Sequence, residues 1–261
     1  NPVRHYNLNS GLLRPGDFAD FILLDNPDDF NVLATYVNGV KVAENGLTLI
    51  DRVEEVAINA FCARKISASD LEVPAIAEGI KVQQALEGQL ITVQKLYKAK
   101  TENGKVITAP EHDVLKMMVM SRYSHADPAI DFVSGFGFSE GAIASTVAHD
   151  SHNIIAVGVD DESIARAVNL LIDVKGGISF VKGEQSMILP LPVAGLMSDD
   201  DGYRVAELYS EINQKVMGMG SALEAPFMTL SFMALLVIPA LKLSDKGIFD
   251  GTTFSFTTLF E

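Results

Sequence analysis

The stretch that most constrains this chain runs from Ser145 to Gly158 (STVAHDSHNIIAVG). Two runs of small and β-branched residues read as strands, and between them sit His149, Asp150, Ser151, His152 and Asn153, with no lysine or arginine among them. Chain reversal between buried strands needs only a Gly, Asn or Asp. Two imidazoles, a carboxylate, a hydroxyl and an amide exceed that requirement, so these five residues are the candidate functional site. A turn whose side chains satisfy their own backbone is the competing explanation.

Around this stretch the chain has enough apolar material for a sizeable core: 261 residues, 48% of them hydrophobic, fit one large domain or two modest ones. A net charge of −14 repels phosphate backbones and anionic lipid, which argues against nucleic-acid and membrane-surface roles. The single cysteine, Cys62, has no partner for an internal disulfide. Its apolar neighbours predict a buried small hydrophobe, and cysteine usage points to a reducing cytoplasm. The most apolar run, Phe227–Leu243, contains Pro239, falls short of a membrane span and is expected to be core. The opening Asn1-Pro2-Val3, without methionine, is expected to have further polypeptide upstream.

The first 52 residues read as a small β layer. Ser10-Gly11 and Pro15-Gly16 are turn signals, Phe18–Asp25 and Asn31–Val37 are predicted strands, and Asn38-Gly39 predicts a two-residue hairpin into Val40–Ala43. The segment GLLRPGDFADF (11–21) followed by YVNGVKV (36–42) resembles the strand segment that follows the catalytic barrel in the amidohydrolase superfamily, where it completes a β-sandwich. With Gly79–Val82, Gly88–Thr92, the 149–153 loop, Gly176–Ser179 and Leu189–Leu196, the whole chain resembles the C-terminal part of bacterial adenine deaminases.

That resemblance implies a parent hydrolase converting adenine and water to hypoxanthine and ammonia in purine salvage. It implies a divalent metal, manganese or iron, held in a barrel domain outside this chain. The barrel and adenine are the expected partners; the unusually apolar tail 227–239 is expected to lie in part at an oligomer or barrel contact, so a homo-oligomer is expected, in the cytoplasm that the cysteine usage suggests. The family's His-x-His pair is absent from His5, His112, His125, His149 and His152, and there is no run of eight strand–helix units. No cofactor or metal is therefore expected on this chain, and the chain alone is not expected to catalyse deamination, because hydroxide at neutral pH needs a metal with an open position. Asp150 is the only third ligand near His149 and His152, so hydrogen bonding is preferred to metal binding there. These five residues are expected to reach the barrel mouth and help order the adenine pocket. A free-standing purine- or small-molecule-binding module and a structural dimerisation domain are the rival readings.

The remainder, 53–261, reads as a mixed domain. Val53–Arg64 is predicted as helix or strand, Ser67–Leu71 as a turn or helix start, Ile80–Tyr97 as a hairpin broken at Glu87-Gly88-Gln89, and Asp113–Arg122 as a buried strand. Gly135–Ala142 lacks Walker and dinucleotide spacing, which favours close backbone approach over phosphate binding. Asp160–Ser163 opens a helix ended by Gly176-Gly177 and followed by strand 178–182, giving a split α/β unit. Asp199–Asp201 is expected to cap a helix to Met217 rather than bind calcium, and Thr252–Phe260 to be a closing strand. The predicted class is α+β: a β-sandwich remnant, 1–52, then a mixed α/β domain, 53–261, with mainly antiparallel sheet.

Overall fold

A computed structural model of the chain describes residues 2–8, 11–53 and 56–261. It divides into two compact units, 1–55 and 56–261. The Ser10-Gly11 turn signal and the start of the Val53–Arg64 expectation touch residues 9, 10, 54 and 55, outside the described residues.

In the first unit a short helix, α1 (Pro2–Tyr6), precedes strands β1 (Phe21–Leu24), β2 (Val32–Val37), β3 (Val40–Glu44) and β4 (Leu47–Thr48), paired antiparallel in that order. Asn38 and Gly39 both adopt positive φ, 50° and 77°, as the predicted hairpin requires. Among the described residues of this unit Ala34 is the one buried apolar side chain, while Val32, Leu33, Val37, Val40 and Leu47 are exposed. The sheet is one layer without a core of its own.

The second unit is built on an eight-stranded sheet. Its strands are β6 (Gly79–Ala85), β7 (Thr92–Lys98), β10 (Leu115–Met120), β11 (Ala129–Ser134), β12 (Ala142–Ser145), β13 (Ile154–Gly158), β14 (Gly177–Lys182) and β15 (Gln185–Pro190), in the order β15-β14-β12-β13-β10-β11-β6-β7. Every pairing is antiparallel except β6 with β11. A small side sheet joins β5 (Val73–Pro74), β8 (Lys100–Glu102) and β9 (Lys105–Ile107). Helix α2 (Asp161–Val174) packs Ile164, Ala167, Val168 and Leu171 on one face of the main sheet, with Met118, Met120 and Ala156. Asp160 caps it, accepting from the Ser163 N–H at 2.7 Å. As β12 lies between β13 and β14, the β13–α2–β14 passage is the split unit the sequence predicts.

The other face is covered by α3 (Gly202–Met217), α4 (Pro226–Phe232) and the sheet of β16 (Leu241–Ser244), β17 (Gly247–Asp250) and β18 (Ser255–Phe256). Asp201 caps α3 through the N–H groups of Tyr203 and Arg204. The fold is α+β with mainly antiparallel sheet.

Three expectations are corrected. Residues 56–67 form neither helix nor strand. Cys62 is exposed, because this irregular segment runs along the surface and its apolar neighbours do not impose burial. The closing strand shrinks to Ser255–Phe256, since Thr252 and Thr253 bend around the Asp250 carboxylate.

Candidate functional site

Sheet register assembles the site. Met120 at the end of β10 pairs with Ile154 at the start of β13, so the residues after Met120 come level with those before Ile154. Ser121–Tyr123 and Ser151–Asn153 therefore lie side by side just past the ends of these two central strands. Arg122 Nη2 donates to Tyr123 Oη at 2.9 Å, and that hydroxyl donates to the Ser151 carbonyl at 3.0 Å. Asn153 Nδ2 donates to Ser151 Oγ at 3.2 Å. The His149 N–H donates to the Ser231 carbonyl at 3.0 Å, and the imidazole lies on Phe232 with centroids 4.7 Å apart. His152 stands edge-on to His149 at 5.9 Å.

The five sequence candidates divide. His149, His152 and Asn153 turn inward, whereas Asp150 and Ser151 are exposed and line a cleft formed with β16–β18. Burial, with a smaller contribution from His149 and Arg122 nearby, pushes the His152 pKa down against the pull of Asp150. Its neutral imidazole offers one donor and one acceptor.

Arg122, buried at 4% exposure, carried no local sequence signal. Its guanidinium stacks 4.7 Å from the Tyr123 ring centroid, reaches Asn59 Oδ1 at 3.4 Å and meets no carboxylate among the described residues. Lys116, equally buried, contrasts with it by bonding Asp161 at 2.5 Å. Gly195 closes over Arg122: a Cβ there would fall 2.1 Å from Nη1, and φ is +68°. Thr146 Oγ1 fixes that glycine by donating to its carbonyl at 2.5 Å. Asn59 binds the carbonyls of Lys175 and Pro192, tying the irregular 56–62 segment to the site.

Six buried side-chain atoms lack a hydrogen-bond partner among the described residues, and three of them meet here: Arg122 Nε, His152 Nδ1 and Asn153 Oδ1. Buried polar groups are normally paired, so these three, around Arg122 and the 149–153 loop, are positions that ordered water or a shifted side chain would complete. The described residues contain no group of three His, Cys, Asp or Glu placed to hold a metal ion, so the divalent metal implied by the resemblance finds no donor set in them. The Gly135–Gly141 loop offers no anion site either, since Asp113 already accepts from the N–H groups of Gly135 and Gly137 at 2.6 and 2.8 Å.

Residues 89–255 match the adenine deaminase C-terminal domain family. The chain belongs to that family. An adenine deaminase of Methanosarcina acetivorans is 51% identical over all of this chain and 49% of its own length. One from Salinibacter ruber is 48% identical over all of this chain and 48% of its own, and one from Borreliella burgdorferi 41% identical over 98% and 47%. The chain therefore spans about half the length of these relatives and corresponds to their C-terminal part. The match to the adenine deaminase C-terminal domain takes in Arg122, the 149–153 loop and β16–β17, and leaves out the first unit and Asn59.

Proposed function

We propose that this chain is the C-terminal half of an adenine deaminase, an enzyme that converts adenine and water to hypoxanthine and ammonia. The hydrolytic centre, with a manganese or iron ion that supplies hydroxide near neutral pH, belongs to the barrel half outside this chain. The first unit, a single sheet with Ala34 the one buried apolar residue among those described, is read as the layer that completes a β-sandwich with that half. The 149–153 loop, backed by Arg122 and Tyr123, is read as a contact at the pocket mouth that helps close or order the adenine site. The carrying observation is the match of residues 89–255, which include this loop, to the adenine deaminase C-terminal domain family, with Asp150 and Ser151 of the loop exposed.

The same reading places the enzyme in a reducing cytoplasm, in keeping with a single cysteine. It also takes the assembly to be a homo-oligomer, supported by β7, an edge strand with exposed Val93 and Leu96. His152→Ala in the complete enzyme tests the loop's role. Turnover is expected to fall roughly 10–100-fold, with the melting temperature within a few degrees of wild type. Lost stability with unchanged activity per folded molecule would make the loop purely structural.

A further inference from the structure

The eight-stranded sheet has two edges, β15 and β7. At the β15 edge Pro190 has no N–H to offer, and α3 packs against the strand. At the β7 edge the hydrogen bonds fix which way each residue faces. The Ala99 N–H, just beyond the strand, donates to the Glu78 carbonyl at 2.7 Å, so the odd-numbered positions bond inward to β6. Thr92 faces outward: its N–H donates to the Pro239 carbonyl at 3.0 Å, and its carbonyl accepts from the Ala240 N–H at 3.2 Å. By the same alternation Gln94, Leu96 and Lys98 turn their N–H and C=O groups outward, and no hydrogen bond meets those groups among the described residues.

The side chains of this edge are as open as its backbone. Val93 and Leu96 are 40% and 53% exposed, and Gln94, Lys95 and Lys98 are exposed with them. A bare edge of this kind is a template for another strand. Lysines on an edge oppose such pairing when like charges face each other, and here they restrict it to one register. Outward-bonding residues must face outward-bonding residues, so in an antiparallel pair of two β7 strands the twofold axis falls on a residue. An axis at Lys95 or Lys98 sets lysine against lysine. An axis at Gln94 needs the outer groups of Thr92, already taken by 239–240, and one at Tyr97 runs the pairing into β8, which is bonded to β9. Leu96 is free of all three conflicts.

We propose that two copies of this chain join through β7, antiparallel about a twofold axis at Leu96, so that their eight-stranded sheets become continuous. The two leucines then meet at the axis, Lys95 lies opposite the Tyr97 ring of the other copy, and Gln94 lies opposite Lys98, whose contact within its own chain is Glu78 at 3.9 Å. The proposal rests on the homo-oligomer reading and gives it a surface and a register.

Light scattering on the complete enzyme over a dilution series tests it, with melting temperatures reporting whether each variant folds. Wild type is expected to be an oligomer with an even number of subunits. Leu96→Pro removes an outward N–H from each copy and spares the inward bonds to β6, so it should raise the dissociation constant about tenfold or more. Gln94→Glu puts a carboxylate opposite Lys98 and should tighten association about two- to tenfold; Gln94→Lys should loosen it as much. These two exposed substitutions carry the test if Leu96→Pro fails to fold. A monomeric wild type overturns both the proposal and the homo-oligomer reading. An oligomer that none of the variants changes overturns the β7 interface alone, and dissociation by Leu96→Pro with no response to either charge at position 94 overturns the register.

Discussion

At the scale of single residues, buried charge separates what is solved inside the chain from what is left open. Lys242 is fully buried, yet its ammonium donates to the carbonyls of Leu90 and Phe232 at 2.8 and 3.0 Å, which fixes the end of α4 where Phe232 supports His149. Arg122 is met only in part: Nη2 and Nη1 donate to Tyr123 and Asn59, while Nε has no partner among the described residues. Asp131 is a third case: burial, outweighing a hydrogen bond from Gln83, pushes its carboxyl up to about 7. The folded state then holds a proton that the unfolded chain releases near 3.8, so this group's contribution to stability falls as pH rises from about 4 to about 7. Asp131→Asn should remove that fall. Unfolding free energies from denaturant titration at pH 4 and pH 8 should differ less in the variant than in wild type, by an amount on the order of 2–4 kcal/mol. An identical pH dependence in both proteins would mean that Asp131 is ionised in the fold.

At the scale of elements, the glycine-rich loop shows how backbone approach is enforced. A Cβ on Gly135 would lie 2.3 Å from the Ala85 carbonyl oxygen, in a residue whose φ is +96°. Gly135→Ala is expected to cost at least about 2 kcal/mol in chemical denaturation, and a loss below about 0.5 kcal/mol would show that the β6–β11 contact yields easily. Local chemistry made most elements legible. Asn38-Gly39, the Asp160 and Asp201 caps and the apolar β10 each declare themselves within a few residues. What local chemistry could not show was pairing across distance. Arg122 reads as the last residue of the predicted strand Asp113–Arg122, whereas the strand ends at Met120 and the chain beyond it comes beside a loop some thirty positions on, and Asn59 reaches Arg122 from 63 residues away. Cys62 was misread for a related reason: apolar neighbours signal burial only when a strand or helix turns them inward. The five loop residues were legible as a polar cluster, but their division into an inner face and a cleft wall depends on β16–β18, about a hundred residues later.

At the scale of the whole molecule, the two units differ in self-sufficiency. The second has three apolar clusters built on one sheet, and the first has a sheet without a covering layer. Residues 56–261 alone should unfold cooperatively at a temperature within a few degrees of the full chain, as followed by circular dichroism, whereas 1–55 alone should be unfolded. A cooperative transition in the isolated first unit would contradict its reading as half of a sandwich. That reading belongs to the central claim, that this chain supports a hydrolytic half it does not contain. The most direct test is ammonia release from adenine, measured on the complete enzyme and on this chain side by side after incubation with manganese or iron. The account predicts ammonia from the complete enzyme only; ammonia from this chain alone would contradict it and would make His149, Asp150 and His152 a catalytic site in their own right.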